Sequence, residues 1–279
     1  EATPEDVPVC GRICHEAFRA VALKHGFTPT FCSVGDAEQV ISWLFAHPGF
    51  YCVVAELDGE IVGSNCLDER SSVAGVGPIT IDPKAQDRNI GRVLMTSVLE
   101  RAAQREAPGV RRVQAAYHIR SLSLYSKLGF DVREPLALMQ GAPMREPYPA
   151  FPVRPATEED VTACDVVCRR VHGHDRHREV LDAVAQKTAA VVEHDGRITG
   201  YATQIGYLGH AVGEGKREIQ ALIASASSFT GPGFLVPMRN STLFRWCLEN
   251  GLRVVQPMTL MTLGLYNEPV GAYLPSILF

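Results

Sequence analysis

Apolar residues recur along this chain at two spacings. Ile90, Val93, Leu94, Val98 and Leu99 follow the helical repeat, which predicts an amphipathic helix opening near residue 90. Just upstream, "VAGVGPITI" (73–81) is apolar and β-branched between glycines, the pattern of a buried strand. Pro78 inside it predicts an edge or a bulge, because proline leaves one ladder hydrogen bond unmade. A second apolar strand, "VRRVQAAY" (110–117), follows the helix. The order is strand, short polar loop, helix, strand.

The pattern occurs twice. "TPEDVPVCGRIC" (3–14) superimposes without a gap on "TEEDVTACDVVC" (157–168), sharing Thr, Glu, Asp, Val and both cysteines. Each copy predicts a helix start, with Thr3 or Thr157 as N-cap and acids in the first turn. "VAELDGEIVG" (54–63) matches "VVEHDGRITG" (191–200), two strands around an Asp-Gly turn. "LYSKLGF" (124–130) is echoed by "WCLENGL" (246–252), so His118 corresponds to Asn240, Tyr125 to Cys247 and Gly129 to Gly251. Between the copies "QGAPMREPYPAFPVRP" reads as a proline-rich linker. The expected organisation is two α+β units, residues 1–148 and 149–279, each a mixed, mostly antiparallel sheet flanked by helices in three layers.

Composition narrows the function classes. With 46% apolar and 21% charged residues the chain can bury a large core. A net charge of −4 argues against a nucleic-acid or anionic-membrane surface. No leader peptide and no membrane span is expected. The eight cysteines include no C-x-x-C pair and are expected to be reduced and mostly buried, as in a cytoplasmic protein.

The loop "IDPKAQDRNIGRVLM" (81–95) carries the candidate chemistry. Unpaired N–H groups at a helix start, with Gln86, Arg88 and Arg92 around them, suit a pyrophosphate. Gly91 permits close approach, and Asn89 is the non-glycine residue that best tolerates a left-handed turn. An asparagine-capped helix with no ligand is the plainer alternative. In "HIRSLSLYSKLGF" (118–130), His118 lies at a strand end, Ser121 is placed to cap the next helix, and Gly129 to close it.

Together "QDRNIG" and "HIRSLSLYSKLGF" resemble the GNAT superfamily of acyl-CoA-dependent N-acetyltransferases, and the whole chain looks like a tandem GNAT protein with a degenerate second copy. Asn89 and His118 depart from the glycine and asparagine usual in that family. The resemblance implies acetyl-CoA as co-substrate, held by backbone groups of Ile79, Thr80 and Ile81 and by Gln86, Asp87, Arg88, Asn89, Ile90, Gly91, Arg92, Ser121 and Tyr125. It implies direct transfer to the amine of a small molecule, with Tyr125 as general acid and His118 as a second catalytic candidate. Asp68, Glu69 and Glu56 are further candidates for the base, and the first two lean towards a cationic amine. A non-catalytic acyl-CoA sensor or scaffold is the competing class. The expected assembly is a monomer or homodimer.

The second copy offers "HAVGEG" (210–215), with His210 in the place of Gln86 and Lys216 in that of Arg92; Cys247 fills the tyrosine slot. It is expected to be a structural half. "HGHDRHRE" (172–179) lacks zinc-site spacing and reads as a solvated loop bordering the acceptor site; no metal is expected. The tail "LYNEPVGAYLPSILF" reads as a terminal strand and its anchor.

Overall fold

The structure, a computed structural model, describes residues 1–144 and 150–279. The expected boundary at 148/149 lies outside the described residues. The first half runs α1 (Val7–Lys24), α2 (Val34–Ala46), β1 (Phe50–Leu57), β2 (Glu60–Asp68), β3 (Ala74–Val76), β4 (Thr80–Ile81), α3 (Ile90–Gln104), β5 (Gly109–Ala115), α4 (Ile119–Lys127) and β6 (Asp131–Gln140). The second runs β7 (Val153–Pro155), α5 (Val161–His172), α6 (His177–Ala185), β8 (Ala190–His194), β9 (Arg197–Ala202), β10 (Ala211–Gly213), α7 (Lys216–Ser225), β11 (Phe234–Pro237), α8 (Ser241–Glu249), β12 (Arg253–Gly264) and β13 (Ala272–Leu274).

The local signals of the repeat have local counterparts. Thr3 and Thr157 open capping boxes with Asp6 and Asp160, each on a short 3-10 turn that runs into the helix. Asp58-Gly59 and Asp195-Gly196 have positive φ at both residues, as a two-residue hairpin turn requires. Gly129 and Gly251 end α4 and α8 in the left-handed region.

Pairing of the sheets is not local. One eight-stranded sheet has the order β1-β2-β3-β5-β12-β6-β11, with β4 on β2; a five-stranded sheet has the order β13-β10-β9-β8-β7. By the repeat, β5 corresponds to β11 and β6 to β12. The central order β5-β12-β6-β11 is therefore a reciprocal exchange, in which each copy's sixth strand lies beside the other copy's fifth. β12 is antiparallel to both β5 (Met258↔Ala115 to Gly264↔Gly109) and β6 (Arg253↔Gln140 to Thr262↔Asp131). A long apolar strand left on an edge would expose a row of unpaired backbone groups, and the exchange removes that edge from both copies. Each half is a mixed, mostly antiparallel sheet flanked by helices, but the sheets do not respect the division of the sequence.

Two expectations are corrected here. Cys52 and Cys66, opposite one another in the β1–β2 hairpin, form a disulfide instead of remaining reduced. Of the six free thiols, five are buried and Cys32 is exposed. Burial pushes Cys10 and Cys168 up to about 11 and Cys164 and Cys247 up to about 12, so these four are inert thiols at neutral pH. The 172–179 segment is not a solvated loop. His172, His174, Arg176 and Glu179 are all buried, because the turn between α5 and α6 packs onto the first half, where the Ser71 hydroxyl donates to the Asp175 carbonyl at 3.0 Å and Arg70 pairs with Asp182 at 3.0 Å.

Candidate active site

β3 and β4 are two pieces of one strand. β3 pairs with β2 and, in parallel, with β5 (Ala74↔Val110, Gly75↔Arg111). Beyond Gly77-Pro78, β4 stays with β2 (Gly63↔Ile81, Ser64↔Thr80) but no longer bonds to β5. The sheet opens there as a wedge. Asp82 N–H donates to the Val62 carbonyl at 2.8 Å, and two residues earlier Thr80 faces Ser64 in the same register. Antiparallel alternation thus turns the Thr80 N–H towards β2 and those of Ile79 and Ile81 into the wedge. The Thr80 hydroxyl is 3.2 Å from that of Ser64.

The loop after β4 ends at α3. Asp87 (φ 68°) and Asn89 (φ 63°) both take the left-handed conformation. The Asn89 side chain makes no capping bond; its carbonyl accepts from Arg92 and Val93, leaving the N–H groups of Ile90 and Gly91 without intrahelical partners. Asn89 therefore supplies the turn and leaves the helix start open to a ligand. Gly91 sits in a tight place, since a Cβ there would lie 3.0 Å from Ile81 Cδ1 and 3.4 Å from Leu124 Cδ2. Arg88 and Arg92 are exposed, while Arg120 of α4 reaches back to pair with Asp87. Open N–H groups beside unengaged arginines make an anion site, and the residues fit a pyrophosphate.

α4 brings up the second motif. Tyr125 is 2% exposed, with its ring edge-on to Phe130 at 6.3 Å. Arg112 of β5 lies over the other side, its Cζ 3.7 Å from the ring centroid. His118, not Ser121, is the N-cap of α4, and it makes no side-chain capping bond. The Ser121 hydroxyl instead meets His118 Nδ1 at 2.7 Å. Asn240 does cap α8, accepting from Leu243 N–H at 3.2 Å. Burial, with Arg120, His25, Arg112 and Lys24 nearby, holds His118 down to about 4, so the imidazole is neutral at physiological pH.

Two polar side chains here have no part in the motif. Arg112 is 6% exposed, its Nε has no partner, and burial lowers its pKa. Gln114, two residues further along the same face, has neither amide atom hydrogen-bonded. The signal was available: two arginines and a glutamine inside the apolar run 110–117. On the other side of the sheet the α1–α2 connection contributes Phe27, stacked on Tyr117 at 4.2 Å and 13°. The Tyr117 hydroxyl donates to Gln256 Oε1 at 2.9 Å, so β12 fastens the end of β5 to the second half.

The acidic candidates are engaged elsewhere. Asp68 is bound by Arg70 at 2.7 Å, and Glu69 by Arg101 and Arg105 at 2.8 and 3.2 Å. Those pairs remove the ground for a preference for cationic amines. Glu56 is exposed on β1.

In the second half the corresponding cleft is filled. β13 pairs with all three residues of β10 (Ala211↔Leu274, Val212↔Tyr273, Gly213↔Ala272), on the edge that faces the wedge in the first half. The start of α7 is closed by its own acid, with Gly215 N–H donating to Glu218 Oε2 at 3.1 Å. Glu214 precedes it, held by Arg197 and Arg170. His210 is buried against Thr203 and Tyr201, away from any phosphate loop.

Residues 20–130 match the Acetyltransferase (GNAT) family. No curated protein matches the chain. Among solved structures, a candidate acetyltransferase from Pyrococcus horikoshii has the same fold over 98% of this chain and 91% of its own, with a TM-score of 0.74 at 19% identity. A GCN5-related N-acetyltransferase from Sphaerobacter thermophilus covers 96% and 95%, with a TM-score of 0.62 at 16% identity. A third, from Anabaena variabilis, covers 94% of this chain and 71% of its own, with a TM-score of 0.57 at 13% identity. The match spans both the wedge and Tyr125, so residues 20–130 are similar to the acetyltransferase domain of the GNAT family, and the solved structures share the fold of the whole chain.

Proposed function

We propose that the protein transfers the acetyl group of acetyl-CoA directly to the amine of a small molecule, at the wedge between β4 and β5. The observation that carries this reading is that the β4 and α3 residues whose N–H groups stay open, Ile79, Ile81 and Ile90, pack in one cluster with Tyr125, with Gly91 against Ile81 and Leu124. The loop 86–92 would hold the pyrophosphate, and the β4 edge with Gln114 the amide-rich arm. Acetyl-CoA supplies an activated thioester. An N–H at the wedge can donate to the carbonyl oxygen as charge builds there. Tyr125 gives its hydroxyl proton to the departing sulfur. The amine proton leaves to solvent, since the burial that holds His118 near 4 makes its imidazole a weak acceptor; the Nδ1 contact with Ser121 fixes the ring. Holding donor and acceptor in one cleft removes much of the entropic barrier.

The second half acts as a structural partner. Its cleft is occupied by β13, and its acids sit where a pyrophosphate would need positive charge. One acetyl-CoA per chain is the consequence. Release of free thiol from acetyl-CoA with a panel of small amines tests the proposal; thiol release that no amine accelerates would overturn it.

A further inference from the structure

Fourteen buried side-chain nitrogen and oxygen atoms have no hydrogen-bond partner among the described residues, and seven of them lie in one place. They are Nε and Nη2 of Arg111, Nδ1 of His172, both ring nitrogens of His174, and the hydroxyls of Tyr266 and Tyr273. The groups come from both halves: β5, the end of α5, the α5–α6 turn, the segment after β12, and β13. Ring contacts tie them together. Arg111 lies 5.0 Å from the Tyr266 ring, His172 5.0 Å from Tyr273 and 5.8 Å from His174. The Phe279 ring sits between the Arg111 and Arg176 guanidiniums, 4.5 Å from each.

Charge bookkeeping singles out Arg111. Arg176 is held by Glu179 through two bonds of 2.7 and 2.6 Å. Arg133 is held by Asp131, Arg239 by Glu134 and Glu268, and Arg169 by Asp175. Each of these carboxylates is thus engaged, while Arg111, 1% exposed, pairs with none among the described residues. A buried cation without a counter-charge is strongly unfavourable, and buried donors are otherwise almost always satisfied. None of the seven atoms is a carboxylate oxygen, and each residue can donate. An acceptor-only, negatively charged group would satisfy the Arg111, Tyr266 and Tyr273 donors and an N–H of each imidazole; only the bare nitrogen of neutral His174 would stay unpaired.

We propose that the junction of the two halves binds an oxyanion, a carboxylate or phosphate group, with Arg111 as its counter-cation and Tyr266, Tyr273, His172 and His174 as donors. The site is separate from the acetyl-CoA wedge. Arg111 and Arg112 are consecutive in β5 and point to opposite faces of the sheet, Arg112 to Tyr125 and Arg111 to the α5–α6 turn. The inference does not depend on the acetyltransferase reading.

Thermal unfolding of the full chain, in chloride of matched ionic strength with added inorganic phosphate or acetate, tests it. Tm should climb by several degrees with the logarithm of one anion's concentration, and which anion does so distinguishes phosphate from carboxylate recognition. The rise should survive Arg88→Ala/Arg92→Ala, which removes the loop cations at the wedge. Arg111→Met should abolish the rise and, in chloride alone, melt no lower than the wild type. If Arg111→Met does not fold, Tyr266→Phe and Tyr273→Phe decide, each weakening the apparent anion affinity several-fold. Equal Tm in chloride and both anions would overturn the proposal, as would a full response retained by the Arg111 or tyrosine variants.

Discussion

The guanidinium of Arg112 lies on the face of the Tyr125 ring, 3.7 Å from its centroid, and has no carboxylate partner among the described residues. A guanidinium over the ring face makes a cation–π contact that holds the ring in place, and in the proposed transfer it would also offset charge developing on the phenol oxygen. The contact joins β5 to α4, so under the proposed role of Tyr125 one residue would both pack the tyrosine and shape its chemistry.

Arg112→Met should separate those roles. The substitution keeps an unbranched apolar stem and removes a buried, unpaired charge, so thermal stability should hold or rise. The rate constant for acetyl transfer should fall roughly tenfold or more while acetyl-CoA affinity stays near the wild-type value. Loss of stability with an unchanged rate would make Arg112 a packing residue only.

His118 gives a pH signature. Its folded value of about 4 lies below the ordinary 6.5, so between these limits the unfolded chain takes up a proton that the folded chain refuses. Its contribution to stability is complete above pH 6.5 and is lost as pH falls towards 4. Since the ring is only partly buried, the effect is on the order of 1–2 kcal/mol. Denaturant unfolding of His118→Asn should show a flatter stability profile than the wild type across that window; parallel profiles would contradict the assignment.

Asn89 and Gly91 make opposite predictions in one loop. Asn89→Gly should keep or tighten acetyl-CoA binding, because glycine adopts φ near +63° without strain. Asn89→Val should weaken it, since a β-branched residue resists that conformation. Gly91→Ala should also weaken it by pushing Ile81 away from the helix start. Calorimetric titration of the three variants checks all of this. Binding unchanged in Asn89→Val and Gly91→Ala would remove the loop from the site.

A fragment ending at residue 144 should not fold. It lacks β12, which lies between β5 and β6 and bonds to both. A soluble, cooperatively melting fragment in circular dichroism would show that β6 can close onto β5 without the second half.

Much of the framework could be read from residues with local rules. The Asp-Gly turns, the two threonine starts, the break at Pro78 and the left-handed Asn89 each follow from what one or two residues do to their own backbone. The exchange of β6 and β12 did not appear, because an apolar strand has the same alternation whichever sheet receives it. His172 and His174 look like solvated loop residues in sequence and are buried only because another half of the chain covers them. Arg112 and Gln114 were visible as polar interruptions of an apolar run, but their meaning depends on α4 lying over that face. Cys52 and Cys66 show the same limit: a bulge at Ala55/Glu56 shifts the hairpin register by one residue and so brings them opposite, and the Asp-Gly turn does not announce it.

We propose one acetyl-transfer site per chain, at the wedge beside Tyr125. The most direct measurement is single-turnover acetyl transfer in the wild type and Tyr125→Phe, with acetyl-CoA binding followed on the same samples. One acetyl-CoA should bind per chain in both proteins, with amine-dependent thiol release in the wild type and a rate lower by roughly ten- to a thousandfold in the variant. Two acetyl-CoA molecules per chain, or a Tyr125→Phe rate equal to that of the wild type, would contradict it.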